Sequence, residues 1–147
     1  MTKPFRFGVV ASRFNEDVTD ALLASCVRTL AKNGVARSRL AVARVPGSWE
    51  IPWAAQEMAL SGRFDAVICI GAILKGETPQ NHHLARSVIE QIQAVSLKTR
   101  VPLILGVITP DTRAQAMART RGSLDRGREA ALAALEMAEI RRRKPWE

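Results

Sequence analysis

Nine consecutive positions, Ala66 through Leu74, carry only apolar side chains and one glycine, and they lie between Asp65 and Lys75. A run this short, apolar on both alternating faces, suits a central strand with helices packed on each side. Three more segments read as strands: Phe5 to Ala11 around Val9 and Val10, Leu40 to Val45, and Leu103 to Ile108. Between them the pattern changes to a helical period. Asn15 is placed to cap a helix carrying Glu16 and Asp17 in its first turn, where negative charge is favoured. Val18, Leu22, Cys26 and Leu30 then recur every four residues, and Gly34 suits a left-handed helix end.

A second helix starts around Ile51, tolerates Pro52 in its first turn and stops at Ser61-Gly62. A polar loop, Lys75 to His83, leads into a long helix ending near Thr99. Thr109-Pro110-Asp111-Thr112 starts a short helix to about Arg121. Gly122 and Gly127 flank a turn before the last helix, which runs through Met137 into a basic tail. Strands alternating with helices imply right-handed βαβ units and a four-stranded parallel sheet. The expected class is α/β, a three-layer α/β/α sandwich of flavodoxin-like form. Such sheets bind ligands beyond the C-terminal strand ends. That rule points to four loops: Ser12–Asn15, Pro46–Glu50, Lys75–His83 and Thr109–Thr112.

The chain has 147 residues, 47% of them hydrophobic, enough for one core and one expected domain over 1–147. A net charge of +8 raises the possibility of a nucleic-acid partner. Much of the excess sits in Arg141, Arg142, Arg143 and Lys144, within a basic tail of residues 141–147. The simpler reading is a solvated tail favoured by the helix dipole, with an anion or RNA contact as the alternative. Cys26 and Cys69 lie inside apolar patterns without metal-ligand neighbours and read as small buried hydrophobes. Neither a signal-peptide pattern nor a membrane-length apolar run is present. A soluble, cytoplasmic protein is expected, without membrane or nucleic-acid partners.

The loops carry distinctive words. Arg13-Phe14-Asn15 follows the first strand; Val45-Pro46-Gly47-Ser48-Trp49-Glu50-Ile51-Pro52 follows the second; Gly71-Ala72-Ile73-Leu74-Lys75-Gly76-Glu77-Thr78-Pro79 spans the third strand's end. Gly106-Val107-Ile108-Thr109 and Asp125-Arg126-Gly127-Arg128-Glu129-Ala130-Ala131 come later. In this order the segments resemble the signature of the lumazine synthase family, although any one alone would be weak. The resemblance implies condensation of a ribitylamino-pyrimidinedione with 3,4-dihydroxy-2-butanone 4-phosphate, with no metal and no cofactor. It also implies a pentamer-based homo-oligomer whose active site forms between subunits. The few residues before the first strand leave little chain for the extra strand that members often lend to a neighbour.

This chemistry needs a slot for a flat ring, an anion site and a proton shuttle. Phe14 and Trp49 are the stacking candidates, with capping of the core as their alternative role. The resemblance assigns the ribityl chain and ring to Ser48, Glu50 and the backbone at Ala72, Ile73 and Leu74. Glu50 could instead be only a favourable charge at a helix start. Gly76, Glu77 and Thr78, opening a helix, suit phosphate, because free amides and the helix dipole attract anions. Arg119 matches a family arginine reaching the phosphate from the adjacent subunit; otherwise it is a solvated helix residue.

The family's acid/base histidine corresponds to Gln80, which cannot shuttle protons near neutral pH. His82 and His83 follow, and histidine is the right chemical type. If a helix starts at once, His83 lies nearly one turn beyond Gln80 on almost the same face, and His82 points elsewhere. Glu129 matches the glutamate that orients the family histidine, or is a surface charge. Arg126 replaces a lysine, keeping charge but changing donor geometry. Leu105 stands where an aromatic residue is often supplied by the neighbour. The competing readings are a non-catalytic homologue binding a flavin, pterin or phosphorylated ligand, a structural or cargo-holding shell whose basic tail meets anionic macromolecules, and an unrelated flavodoxin-like signalling domain.

Overall fold

The structure is a computed structural model and describes residues 3–147; residues 1 and 2 lie outside the described residues. Its strands are β1 (Phe7–Ser12), β2 (Leu40–Val45), β3 (Ala66–Ala72) and β4 (Leu103–Ile108). Its helices are α1 (Glu16–Lys32), α2 (Ile51–Leu60), α3 (Gln80–Thr99), α4 (Arg113–Ala118) and α5 (Arg126–Arg143). All strand pairings are parallel, in the order β2-β1-β3-β4. Val9 lies opposite Val42 and Ile68, and Cys69 opposite Leu105.

Alternation along the strands divides the core into two layers. Phe7, Val9, Ile68 and Ile70 pack with α1 and α5; Val10, Val67, Cys69 and Val107 pack with α2 and α3. The result is the expected three-layer α/β/α sandwich. β1 and β3 are wholly buried, whereas β2 is half-buried along most of its length at one edge. Both cysteines are buried, and loss of hydration pushes each thiol pKa up to about 12, so neither is a ready nucleophile.

Two local expectations need correction. Asn15 occupies the start of α1 but makes no side-chain cap; its backbone is left-handed, with φ of 63°. Its amide instead reaches across the sheet, as described below. Gly127 does not flank a turn but lies buried in the first turn of α5. A β-carbon there would stand 2.3 Å from the Leu22 carbonyl oxygen, so glycine is what permits the close crossing of α1 and α5. The basic run is largely exposed, as expected, with Arg142 half-buried. Arg141, Arg142 and Arg143 form the last turn of α5. Arg141 Nε donates to the Arg100 carbonyl at 3.1 Å, and the Arg142 guanidinium lies 3.7 Å above the Phe5 ring.

Candidate active site

The C-terminal ends of β1, β2 and β3 form one cleft. Beyond β1 the chain stays tied to the exit of β2: Arg13 N donates to the Val45 carbonyl at 2.8 Å, and Phe14 N to that of Pro46 at 3.0 Å. These bonds hold Phe14 beside the Gly47–Glu50 turn. The Asn15 Nδ2 donates to the Ala72 carbonyl at 2.9 Å, joining the same loop to the end of β3. Arg113 closes the network from α4. It donates to both Asp17 carboxylate oxygens, at 2.7 and 2.6 Å, and to Asn15 Oδ1 at 3.2 Å. The hydrogen bond from Arg113 holds the Asp17 carboxyl below its usual range.

The cleft encloses about 330 Å³ and is lined by Phe14, Ser48, Trp49, Glu50, Ala72, Ile73, Leu74, Gly76 and Thr78, along with Asn15, Gly47, Gln80, Asn81 and Leu84. Phe14 is 72% exposed and Trp49 65%, so neither caps the core. Their rings stand over an opening, as a stacking site requires. Ser48 is buried where it meets β3. A β-carbon at Gly71 would stand 2.7 Å from Ser48 Oγ and 3.2 Å from Ser12 Oγ, so only glycine lets the turn sit that close. Glu50 occupies the residue before α2 and also lines the cleft.

The anion loop differs from expectation in one detail. α3 opens at Gln80, behind Pro79, so Gly76, Glu77 and Thr78 precede the helix. Among the described residues the amides of these three make no hydrogen bond to another protein group. No protein atom lies within 4 Å of a β-carbon placed on Gly76. The loop thus presents free donors at the start of a 20-residue helix. The Thr78 hydroxyl accepts from Gln80 N at 3.4 Å. Glu77 is exposed and lies outside the cleft lining.

The early start of α3 places His82 and His83 in its first turn, where the sequence suggested a loop. Both are exposed, and neither lines the cleft; Gln80, Asn81 and Leu84 do. Asn81 and Asn15, both missed in the sequence reading, belong to the lining. The amide type of Asn15 was visible, but its role across the sheet depends on a contact 57 positions away.

The remaining residues gather in a second cleft, of about 690 Å³, along the open side of β4. Leu105, Arg119, Arg126 and Glu129 line it, with Ile89, Asp111, Gln115 and Ala133 among the others. Leu105 is half exposed on the edge strand. Arg126 Nη1 donates to Glu129 Oε2 at 2.8 Å, and Arg119 donates to the Gln115 carbonyl at 3.0 Å. The two clefts share no residue, although Lys75 N donates to the Pro110 carbonyl between their loops at 3.3 Å. No helix among the described residues is long and apolar enough to cross a membrane.

A family model described as 6,7-dimethyl-8-ribityllumazine synthase matches residues 4–142. A protein of that name from Salinibacter ruber is 46% identical over 136 residues, 92% of this chain and 87% of its own. One from Protochlamydia amoebophila is 44% identical over 136 residues, 92% of this chain and 79% of its own. One from Gloeobacter violaceus is 40% identical over 146 residues, 97% of this chain and 81% of its own. With the parallel sheet and both clefts in place, the chain belongs to the 6,7-dimethyl-8-ribityllumazine synthase family.

Proposed function

We propose that this chain condenses 5-amino-6-(D-ribitylamino)uracil with 3,4-dihydroxy-2-butanone 4-phosphate, giving 6,7-dimethyl-8-ribityllumazine in riboflavin biosynthesis. The supporting observation is the cleft where Phe14 and Trp49 stand exposed beside the unbonded amides of Gly76–Thr78. A flat heterocycle stacks on the rings, with Ser48, Glu50 and the Ala72–Leu74 backbone holding the pyrimidine and ribityl groups. The phosphate sits on the amides before α3, where negative charge building on the leaving group is stabilised. Holding both substrates in reacting contact supplies much of the acceleration.

The site is completed by a second copy of the chain. Arg119, the natural second donor to a phosphate, opens into the other cleft with Leu105, Arg126 and Glu129. A ring of subunits, pentameric in our reading, sets the second cleft of one copy against the first cleft of the next. His83 is the proposed acid/base, with His82 as second candidate, and Glu129 of the neighbour orients it. Mixing the protein with both substrates should accelerate formation of the fluorescent lumazine above the spontaneous rate; an assembled, folded protein giving no acceleration would refute the assignment.

Gln80 favours a second reading, because it lines the cleft where the family supplies a histidine and both histidines lie outside it. A non-catalytic homologue would bind the product or a flavin without turnover. The same assay separates the two, since binding without acceleration is its signature.

A further inference from the structure

At the end of the sheet away from the first cleft, the C-termini of α3 and α5 meet the starts of β3 and β4 around a pocket of about 730 Å³. Arg100, Arg141, Arg142 and Lys144 line it, and Asp65 is the one carboxylate among them. The rest of the lining is largely apolar: Leu97, Val101, Pro102, Met137, Ile140 and Trp146. Trp146 is 70% exposed and Leu97 72%, so both offer their surface to the opening instead of filling the core.

The cations exceed what the local fold needs. Arg100, Arg141 and Arg142 form no ion pair among the described residues, whereas Lys144 meets Glu147 at 3.4 Å. Arg143, outside the pocket, is paired with Glu139 at 3.6 Å. Against the three unpaired guanidiniums stand Asp65 and two helix ends, each end worth about half a charge, so about one positive charge is left over. Arg141 and Arg142 are held in place, by the Arg100 carbonyl and the Phe5 ring. The backbone points the same way. Among the described residues only Asn15, Arg100 and Lys144 have a left-handed φ without being glycine, at 63°, 62° and 45°. Glycine would end α3 and α5 there without strain. Asn15 serves the first cleft; the other two, both cations, line this pocket.

We propose that this pocket binds a phosphorylated aromatic molecule of nucleotide size, its phosphate on Arg100 and Arg141 and its flat body against Trp146 and the apolar lining. Guanidinium forks match phosphate oxygens, and an exposed indole offers its face to a ring. The volume is that of a small-molecule site. The pocket shares no residue with either of the other clefts, so the proposal goes beyond the function above and does not depend on it.

Isothermal titration calorimetry of the full chain with AMP, adenosine and inorganic phosphate tests the assignment. AMP should bind saturably and at least about 10-fold more tightly than either of the others, because only AMP engages both the cations and the apolar lining. Trp146→Ala and Arg100→Gln, shown to be folded by circular dichroism, should each weaken AMP binding by about 10-fold and leave the rate of lumazine formation unchanged. Trp49→Ala should leave AMP binding as it is. Loss of binding in Trp49→Ala but not in Trp146→Ala would put the ligand in the first cleft and overturn the proposal. No saturable binding of AMP up to about 1 mM would overturn it too. A single-stranded oligoadenylate binding about 100-fold more tightly than AMP, with steep loss in salt, would overturn the small-molecule reading in favour of nucleic acid.

Discussion

The two clefts are built by different means. Around Phe14 and Trp49 the walls are fixed by backbone bonds between neighbouring strand exits and by Asn15 bridging to Ala72. Along β4 the groove depends on side chains, Arg119 on the Gln115 carbonyl and Arg126 on Glu129, around an uncovered strand edge. The first cleft is complete in one chain as a place for a flat ring. The second offers cations and an apolar floor with nothing to hold against them. On the function proposed above, the first cleft supplies preorganised ring binding, and subunit contact completes the phosphate and proton-transfer apparatus.

The largest expected effect strikes the second cleft through its scaffold. Gly127→Ala puts a methyl against the Leu22 carbonyl and pries α5, with Arg126 and Glu129, away from α1. A stability loss of about 3 kcal/mol is expected, read as a lower midpoint in thermal unfolding. Pyrimidine binding should survive in the protein that remains folded, because α5 does not line the first cleft.

Next in size is the proton-transfer step. His83→Ala should lower turnover by about 100-fold, while His82→Ala changes little. If both variants keep the full rate, neither histidine is the acid/base, and positioning carries the catalysis.

The smallest effect is expected at Arg113, which braces the first cleft from an exposed pair. Because its hydrogen bonds hold the Asp17 pKa below 3.8, the pair stabilises the fold above that value and ceases to as the pH falls through the lowered pKa. Arg113→Ala should therefore be slightly less stable than the unaltered chain near neutrality. The difference should shrink with added salt and vanish in acid, which melting curves across pH can follow.

Much of this contrast was readable in the chain itself. The apolar run at 66–74 and the period-four stripe of α1 carry the architecture, since strand and helix burial are written in local periodicity. The loops that form the first cleft stood out because glycines, aromatics and a proline at strand exits have few other uses. Gly127 was misread because its reason is a helix crossing with Leu22, about a hundred positions earlier, and no local pattern reports that. Asn15 was read as a cap for the same cause: its partner lies on another strand. The start of α3 was placed late because Pro79 and polar residues look like loop, although proline is well tolerated where a helix begins.

The claim that one active site draws on two subunits is tested most directly by complementation. Trp49→Ala removes a wall of the first cleft and Arg119→Ala the cation of the second, so each variant should be nearly inactive alone. Unfolded together in equal amounts and allowed to reassemble, they should regain about a quarter of the original activity, because random mixing makes one seam in four native on both sides. A mixed assembly no more active than the two variants measured apart would contradict the account.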